Sequence, residues 1–153
     1  MTLANGIETQ DIEVWTEGSK IVFVGKPKAE ELDGKVFERE YDLKGNLLMP
    51  SFKNAHTHSA MTFLRSYADD MPLQDWLFKQ IFPMEAKLDG EKVYWLTKLA
   101  ILEYLTTGCT AAFDMYFELD DYVKACIESG FRSVLCGAVS GDKSNLERLE
   151  NNY

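Results

Sequence analysis

Cysteine, proline and histidine are all scarce in this sequence of 153 residues, with three, four and two copies respectively. No apolar run approaches the roughly 20 residues that a membrane-spanning helix needs, and the first residues lack the charged-then-apolar pattern of a signal peptide. Cys109, Cys126 and Cys136 are odd in number, lie in apolar surroundings and show no CxxC spacing. This pattern is typical of reduced, buried thiols, so we expect a cytoplasmic protein that does not contact a membrane.

Basic residues are also few, because 16 lysines and arginines face 25 acidic residues and the formal net charge is -9. The charges occur in mixed clusters such as residues 26–31, and no basic stripe is present. We therefore expect no nucleic-acid partner and no anionic membrane partner. A hydrophobic fraction of 46% is enough to bury a core, which indicates a globular protein.

The first 50 residues are predicted to form short strands joined by turns. The strands are expected over residues 11–16, 20–24 and 36–42, with turns at Gly18 and at two further glycine-containing segments. Their alternating apolar residues indicate a small, mostly antiparallel sheet. Such a sheet needs another surface to pack against.

From residue 47 onward the pattern changes to strands alternating with helices. Residues 47–52 lead into a strand, which is followed by a helix over 73–82 ended by Pro83 and a helix over 89–107 capped by Asp89 and terminated by Gly108. A strand over 109–113, a helix over 120–129 ended by Gly130 and a strand over 132–139 come next. The start of a further helix is expected over 145–153. This alternation predicts an α/β fold with a parallel sheet and right-handed crossovers. Either an open doubly wound sheet or a (β/α)8 barrel satisfies it, although a barrel takes about 250 residues and would be incomplete here.

The two histidines of the chain, His56 and His58, flank Thr57 at the end of the first parallel strand. Side chains alternate along a strand, so both imidazoles leave the same face and can reach one metal ion. Structural zinc is disfavoured because such sites take four Cys or His ligands. Two incidental histidines without an ion are the alternative interpretation.

The sequence around these histidines resembles a known family. Residues 48–58, LMPSFKNAHTH, are similar to the segment of the amidohydrolase superfamily in which a proline-containing turn precedes the first barrel strand and its paired histidines. The branch containing the 5'-methylthioadenosine and S-adenosylhomocysteine deaminases, alongside chlorohydrolases and other heterocycle aminohydrolases, is similar in a further set of segments: residues 59–65, 68–73, 76–77, 81–85 and 114–117.

The resemblance covers essentially the whole chain and implies its domain organisation. Residues 1–46 would be the N-terminal part of a small β-sandwich, and residues 47–153 the first three β/α units of an incomplete (β/α)8 barrel. Three strands cannot close a barrel, so we expect an N-terminal fragment that is inactive by itself. Its uncovered sheet should favour self-association, and the parent protein could form a homo-oligomer.

The resemblance implies that His56 and His58 are two ligands of one divalent metal ion, and zinc is the expected ion. The other ligands and the acid/base residues of the family lie beyond Tyr153, so no catalytic acid or base is expected within the chain. A catalytic zinc lowers the pKa of bound water to about 7. The implied reaction replaces the amino group at C6 of an adenine ring and releases ammonia.

Three residues match substrate-binding positions of the deaminases. Trp76 and Glu85 would line the nucleoside pocket, with Glu85 accepting hydrogen bonds from the ribose hydroxyls, and Arg148 would contact the carboxylate of S-adenosylhomocysteine. Without the resemblance, Trp76 is equally a core residue of its helix, Glu85 a surface acid near Lys87, and Arg148 a member of an intrahelical ion pair.

One departure from the family bears on the substrate. Some relatives carry a second arginine near the end of the third barrel strand, whereas residues 135–139 here read LCGAV. This absence favours methylthioadenosine or another neutral adenosine derivative.

Two alternatives remain, namely a parent that acts on guanine, cytosine or a chlorinated triazine, and a non-catalytic α/β binding module. The lack of a glycine-rich phosphate loop argues against the module.

Overall fold

The computed structural model describes residues 12–137 and divides the chain after Pro50 into two units. In the first unit, β1 (Glu13–Glu17) and β2 (Lys20–Gly25) form an antiparallel hairpin. Gly18 lies in the turn between them with φ of +55°, a conformation that glycine adopts without strain. A single short turn of helix, α1 (Ala29–Leu32), follows.

The predicted third strand of this unit is wrong. Residues 36–42 are irregular, and Val36 and Tyr41 are 93% and 76% exposed. Only Phe37 packs inward, with its ring centroid 5.2 Å from that of Trp15, which also stacks on Phe23 at 4.3 Å. A strand needs a partner for its backbone groups, and none pairs with this segment among residues 12–137.

The second unit contains a three-stranded parallel sheet in the order β3 (Phe52–Thr57), β4 (Cys109–Tyr116) and β5 (Arg132–Gly137). The connections between these strands include α4 (Gly90–Thr106) and α5 (Leu119–Ser129). The predicted α/β class with a parallel sheet is therefore confirmed. The predicted helix over 145–153 lies outside the described residues.

Local capping chemistry fixes the ends of the long helices where the sequence predicted them. The Asp89 side chain accepts a hydrogen bond from the backbone N–H of Lys92 at 3.0 Å and so caps α4. Gly108 and Gly130 follow α4 and α5 with φ of +83° and +63°, the left-handed conformation that ends helices.

The segment between β3 and α4 differs from the prediction. A 3-10 helix (Ser59–Leu64) comes first, and then α2 (Leu73–Asp75), a π-helical turn (Trp76–Ile81) and α3 (Phe82–Glu85) run together. Pro83 does not end the helix as predicted. It lies within the continuous helical run, directly after Phe82, whose N–H bonds to the Leu77 carbonyl five residues back.

The core of this unit lies between the sheet and the two long helices. Its buried residues include Val93 and Ile101 of α4, Tyr122 of α5 and Phe131. The three cysteines are free thiols, as predicted, with Cys109 and Cys126 buried and Cys136 partly so, and burial raises the pKa of Cys126 to about 11. Within residues 12–137, no helix is long and apolar enough to span a bilayer.

Thr97 of α4 gives a test of this packing, because its side chain is fully buried and its hydroxyl has no hydrogen-bond partner in the described structure. Thr97→Val keeps the shape and removes the unpaired hydroxyl, so the free energy of unfolding should stay unchanged or rise by about 1 kcal/mol. Thr57→Val is the matched control, since the Thr57 hydroxyl is bonded to that of Tyr104 at 2.5 Å. That variant should lose about 1 kcal/mol in urea denaturation. A larger loss for Thr97→Val than for Thr57→Val would contradict a buried Thr97 hydroxyl without a hydrogen-bond partner.

Candidate active site

His56 and His58 lie side by side at the end of β3. Their ring centroids are 5.2 Å apart and the ring planes are inclined at 75°. His56 is exposed and belongs to the strand, whereas His58 is partly buried and follows it directly, at the start of the 3-10 helix. The two imidazoles are therefore neighbours, as the alternation of side chains predicted.

A hydrogen bond to the backbone fixes the imidazole of His58. Its Nδ1 atom lies 2.8 Å from the carbonyl oxygen of Met115 in β4. A carbonyl can only accept, so Nδ1 carries the proton in the neutral ring and Nε2 retains its lone pair. A histidine that binds a metal through one nitrogen commonly donates the other N–H in this way. The residue is thus prepared for coordination through Nε2.

Two adjacent imidazoles suit a zinc ion, but they do not complete its coordination. Among the residues that the structure describes, no group of three or more His, Cys, Asp or Glu side chains could hold a metal. His56 and His58 can therefore provide part of a metal site, and any further ligands must come from outside residues 12–137.

The chain after His58 is held by a buried carboxylate. Asp114 of β4 is fully buried, and its two oxygens each lie 3.2 Å from the backbone nitrogen of Ser59. The hydroxyl of Tyr122, from α5, also donates to this carboxylate. Burial, together with the Asp114 hydrogen bond, raises the pKa of Tyr122 above its ordinary range, so its hydroxyl stays protonated and remains a donor.

A second tyrosine links the same backbone segment to α4. The hydroxyl of Tyr104 lies 2.5 Å from that of Thr57 and 2.9 Å from that of Ser59. Residues on both sides of His58 are thus tied to the helices behind the sheet. The position of His58 is set by β4, α4 and α5 together rather than by β3 alone.

Glu85 shares an electrostatic environment with His58. The Glu85 side chain is partly buried, and that burial raises the pKa of its carboxyl group. The Tyr116 hydroxyl and the charge of His58 lower this pKa by smaller amounts. Tyr116 is buried, and its hydroxyl makes no hydrogen bond of ordinary geometry in the described structure. Burial is the largest cause that raises the pKa of Tyr116, and the nearby Glu85 carboxylate raises it further. Glu85 is therefore not the fully solvated acid of the alternative interpretation.

Trp76 is partly buried and lines a cavity of about 290 Å³. His58 lines the same cavity, and so does the bidentate ion pair between Arg65 and Glu103, whose N–O distances are 2.8 and 2.7 Å. The remaining lining residues come from β3, the 3-10 helix and α4: Thr57, Ser59, Met61, Thr62, Leu64, Ala100 and Tyr104. Trp76 thus borders open space beside His58.

The π-helical turn (Trp76–Ile81) changes the angle around the helix axis between Trp76 and Glu85. In an uninterrupted α-helix, residues nine positions apart lie roughly 180° apart around the axis. A π turn inserts one extra residue, which reduces this angle to roughly 80°. Periodicity reasoning missed the turn, since its hydrogen bonds leave no pattern in the sequence.

Two of the sequence predictions concern residues that lie wholly or partly outside residues 12–137. Arg148 lies beyond residues 12–137, and its predicted contact with a carboxylate stays a prediction. Of the stretch 135–139, the described part is Leu135, Cys136 and Gly137, which carries no cation. Conversely, sequence reasoning gave no role to Asp114 or Tyr122. An acidic residue inside the otherwise apolar strand Cys109–Tyr116 was the available signal.

Comparison with known proteins shows the family to which this chain belongs. Residues 47–153 match the model of the amidohydrolase family, and the chain belongs to this family. A 5-methylthioadenosine/S-adenosylhomocysteine deaminase of Desulfitobacterium hafniense is 43% identical over 136 residues, which are 89% of this chain and 31% of the relative. A 5'-deoxyadenosine deaminase of Methanospirillum hungatei is 52% identical over 108 residues, which are 69% of this chain and 24% of the relative. The chain thus spans less than a third of the length of these curated relatives.

Solved structures agree with the fold. An adenosine deaminase from Xanthomonas campestris with bound zinc has a TM-score of 0.79 and 35% identity, covering 94% of this chain and 34% of that chain. An atrazine chlorohydrolase from Arthrobacter aurescens, complexed with zinc, has a TM-score of 0.75 and 21% identity, covering 90% of this chain and 33% of that chain. The second likeness is one of fold alone.

Proposed function

We propose that this chain forms the first part of a zinc-dependent aminohydrolase that removes the amino group from adenosine derivatives. The observation that carries the proposal is the pair of adjacent imidazoles at the end of β3, with Nε2 of His58 left open by the bond from Nδ1 to Met115. The deaminases among its relatives, 43% and 52% identical, support the same assignment.

Each residue has a distinct part in this proposal. His56 and His58 hold the metal together with ligands from outside the chain, and a bound zinc ion supplies an activated water at neutral pH. Glu85 accepts hydrogen bonds from the ribose hydroxyls, for which its two carboxylate oxygens are suited. Trp76 presents its ring to the nucleoside. Proton transfer falls to groups outside the chain.

The preferred substrate in this proposal is a neutral adenosine derivative such as 5'-methylthioadenosine or 5'-deoxyadenosine. No cation lies at Leu135, Cys136 or Gly137 to bind an amino-acid carboxylate. A relative named 5'-deoxyadenosine deaminase is 52% identical, which supports this choice. Of the alternative parents, one that acts on a chlorinated triazine resembles this chain at 21% identity, a likeness of fold alone.

The full-length protein tests this proposal through metal analysis and a substrate panel. We expect bound zinc and deamination that is fastest on 5'-deoxyadenosine or 5'-methylthioadenosine, and slower on S-adenosylhomocysteine, guanine and cytosine. His58→Ala should lose both zinc and activity, whereas Trp95→Ala, at an exposed position of α4, should keep both. A protein without a divalent ion, in which His58→Ala behaves as wild type, would instead be a binding module.

Glu85→Gln tests the ribose contact. Hydrogen bonds to a charged group contribute about 1.5–3 kcal/mol, so the KM for a nucleoside should rise about 10- to 100-fold in this variant. Glu91→Gln is the matched control, since Glu91 is exposed in the first turn of α4 and should leave KM unchanged. An unaltered KM in Glu85→Gln, or a preference of the wild type for a free base, would remove this role from Glu85.

We also propose that the 153-residue chain self-associates when it is produced alone. Phe113 and Val134 are register partners on neighbouring strands and are 49% and 60% exposed, and Phe52 of β3 is 62% exposed. The similar adenosine deaminase is about three times as long, so the rest of its chain is available to cover this sheet. Sedimentation should give a species larger than a monomer, and Val134→Lys should shift it toward monomer. A well-ordered monomer of the wild-type chain is the contrary outcome.

A further inference from the structure

Two consecutive residues of β4 contact the chain at His58. The carbonyl of Met115 binds Nδ1 of the ring at 2.8 Å, and the carboxylate of Asp114 binds the backbone N–H of Ser59, the next residue, with both oxygens at 3.2 Å. The strand register places them there, because Thr57 of β3 pairs with Asp114. Both the ring and the main chain at His58 are thereby fixed from one strand.

The carboxylate of Asp114 is costly to bury where it lies. It is 0% exposed, in a strand otherwise made of apolar and small residues, and no lysine or arginine pairs with it in the part of the chain described. Its donors are the neutral Ser59 N–H and the Tyr122 hydroxyl. An apolar residue of similar size would often serve stability as well or better. The carboxylate therefore has a use beyond filling the core.

We propose that Asp114 is a positioning residue for the metal site. It holds the Ser59 peptide, and hence the main chain of His58, in the place where the ring can keep its bond to Met115 and present Nε2 for coordination. Outer hydrogen-bond partners of a metal-binding histidine, as the Met115 carbonyl is for His58, tune metal affinity in proteins. The inference rests on the proposed function, in which His58 binds zinc.

Tyr122 is the second component of this arrangement. Its side chain is fully buried, and its hydroxyl reaches both Asp114 and the hydroxyl of Ser59, the latter at 3.4 Å. The phenol comes from α5, on the helix side of the sheet. The Tyr122 hydroxyl therefore holds the Asp114 carboxylate from the α5 side, while the same carboxylate accepts the hydrogen bond from the Ser59 N–H.

The test measures zinc affinity by chelator competition in the full-length protein. Asp114→Leu removes both acceptor oxygens and should weaken zinc binding about 10- to 100-fold. Asp114→Asn keeps one acceptor oxygen for Ser59 and should recover most of that loss. Thr97→Val, at another fully buried polar position of the same unit, is the matched control and should leave zinc affinity unchanged.

A second measurement separates positioning from a general loss of structure. Nitrogen-15 NMR of the zinc-free protein labelled at histidine should show the Nδ1-protonated tautomer of His58 in the wild type and in Thr97→Val, and a mixture of tautomers in Asp114→Leu. If Asp114→Leu does not fold, Tyr122→Phe provides the test. This variant should bind zinc more weakly than the wild type, because the Asp114 carboxylate loses the hydrogen bond from the Tyr122 hydroxyl.

Wild-type zinc affinity and an unchanged tautomer in these variants would overturn the inference and leave the proposed function intact. A wild-type protein that binds no zinc would overturn the proposed function itself. The two failures are therefore distinguishable.

Discussion

The candidate site depends on the parallel pairing of β3 with β4. This pairing sets Thr57 opposite Asp114 and brings His58 within 2.8 Å of the Met115 carbonyl. β3 could not fix the imidazole alone, because the ring belongs to the residue that follows β3 and its acceptor belongs to β4. A slip of one residue in a parallel pair turns each side chain to the other face of the sheet. Loss of this register would therefore remove the metal-binding geometry along with the sheet.

The two faces of the sheet serve different purposes. On the helix side, Asp114, Tyr122 and Tyr104 form a polar network inside an apolar core, and this network holds the residues that flank His58. On the opposite side, Phe113 and Val134 remain exposed. The site thus lies at the junction between a packed interior and a surface open to other segments, which is where a metal site completed by later strands would be assembled.

Features that depend on neighbouring residues in the sequence were predictable, whereas those that depend on distant contacts were not. Asp89, Gly108 and Gly130 ended helices as predicted, since capping is decided within a few residues. The strand expected over residues 36–42 was wrong, because no segment among residues 12–137 pairs with it. The π turn escaped prediction because its hydrogen bonds leave no pattern in the sequence. The helix end predicted at Pro83, a residue that normally terminates helices, was wrong because the helical run continues to Glu85. Likewise, the adjacency of His56 and His58 followed from alternation, but the Met115 acceptor required knowledge of which strand lies alongside.

In the proposed function, ring nitrogens of His56 and His58 coordinate one zinc ion. A crystal of the full-length protein, measured on both sides of the zinc absorption edge, tests it directly. We expect one anomalous difference peak at about 2.0–2.1 Å from a ring nitrogen of each histidine, and from Nε2 in the case of His58. A zinc peak elsewhere in the protein, with both imidazoles uncoordinated, would contradict it.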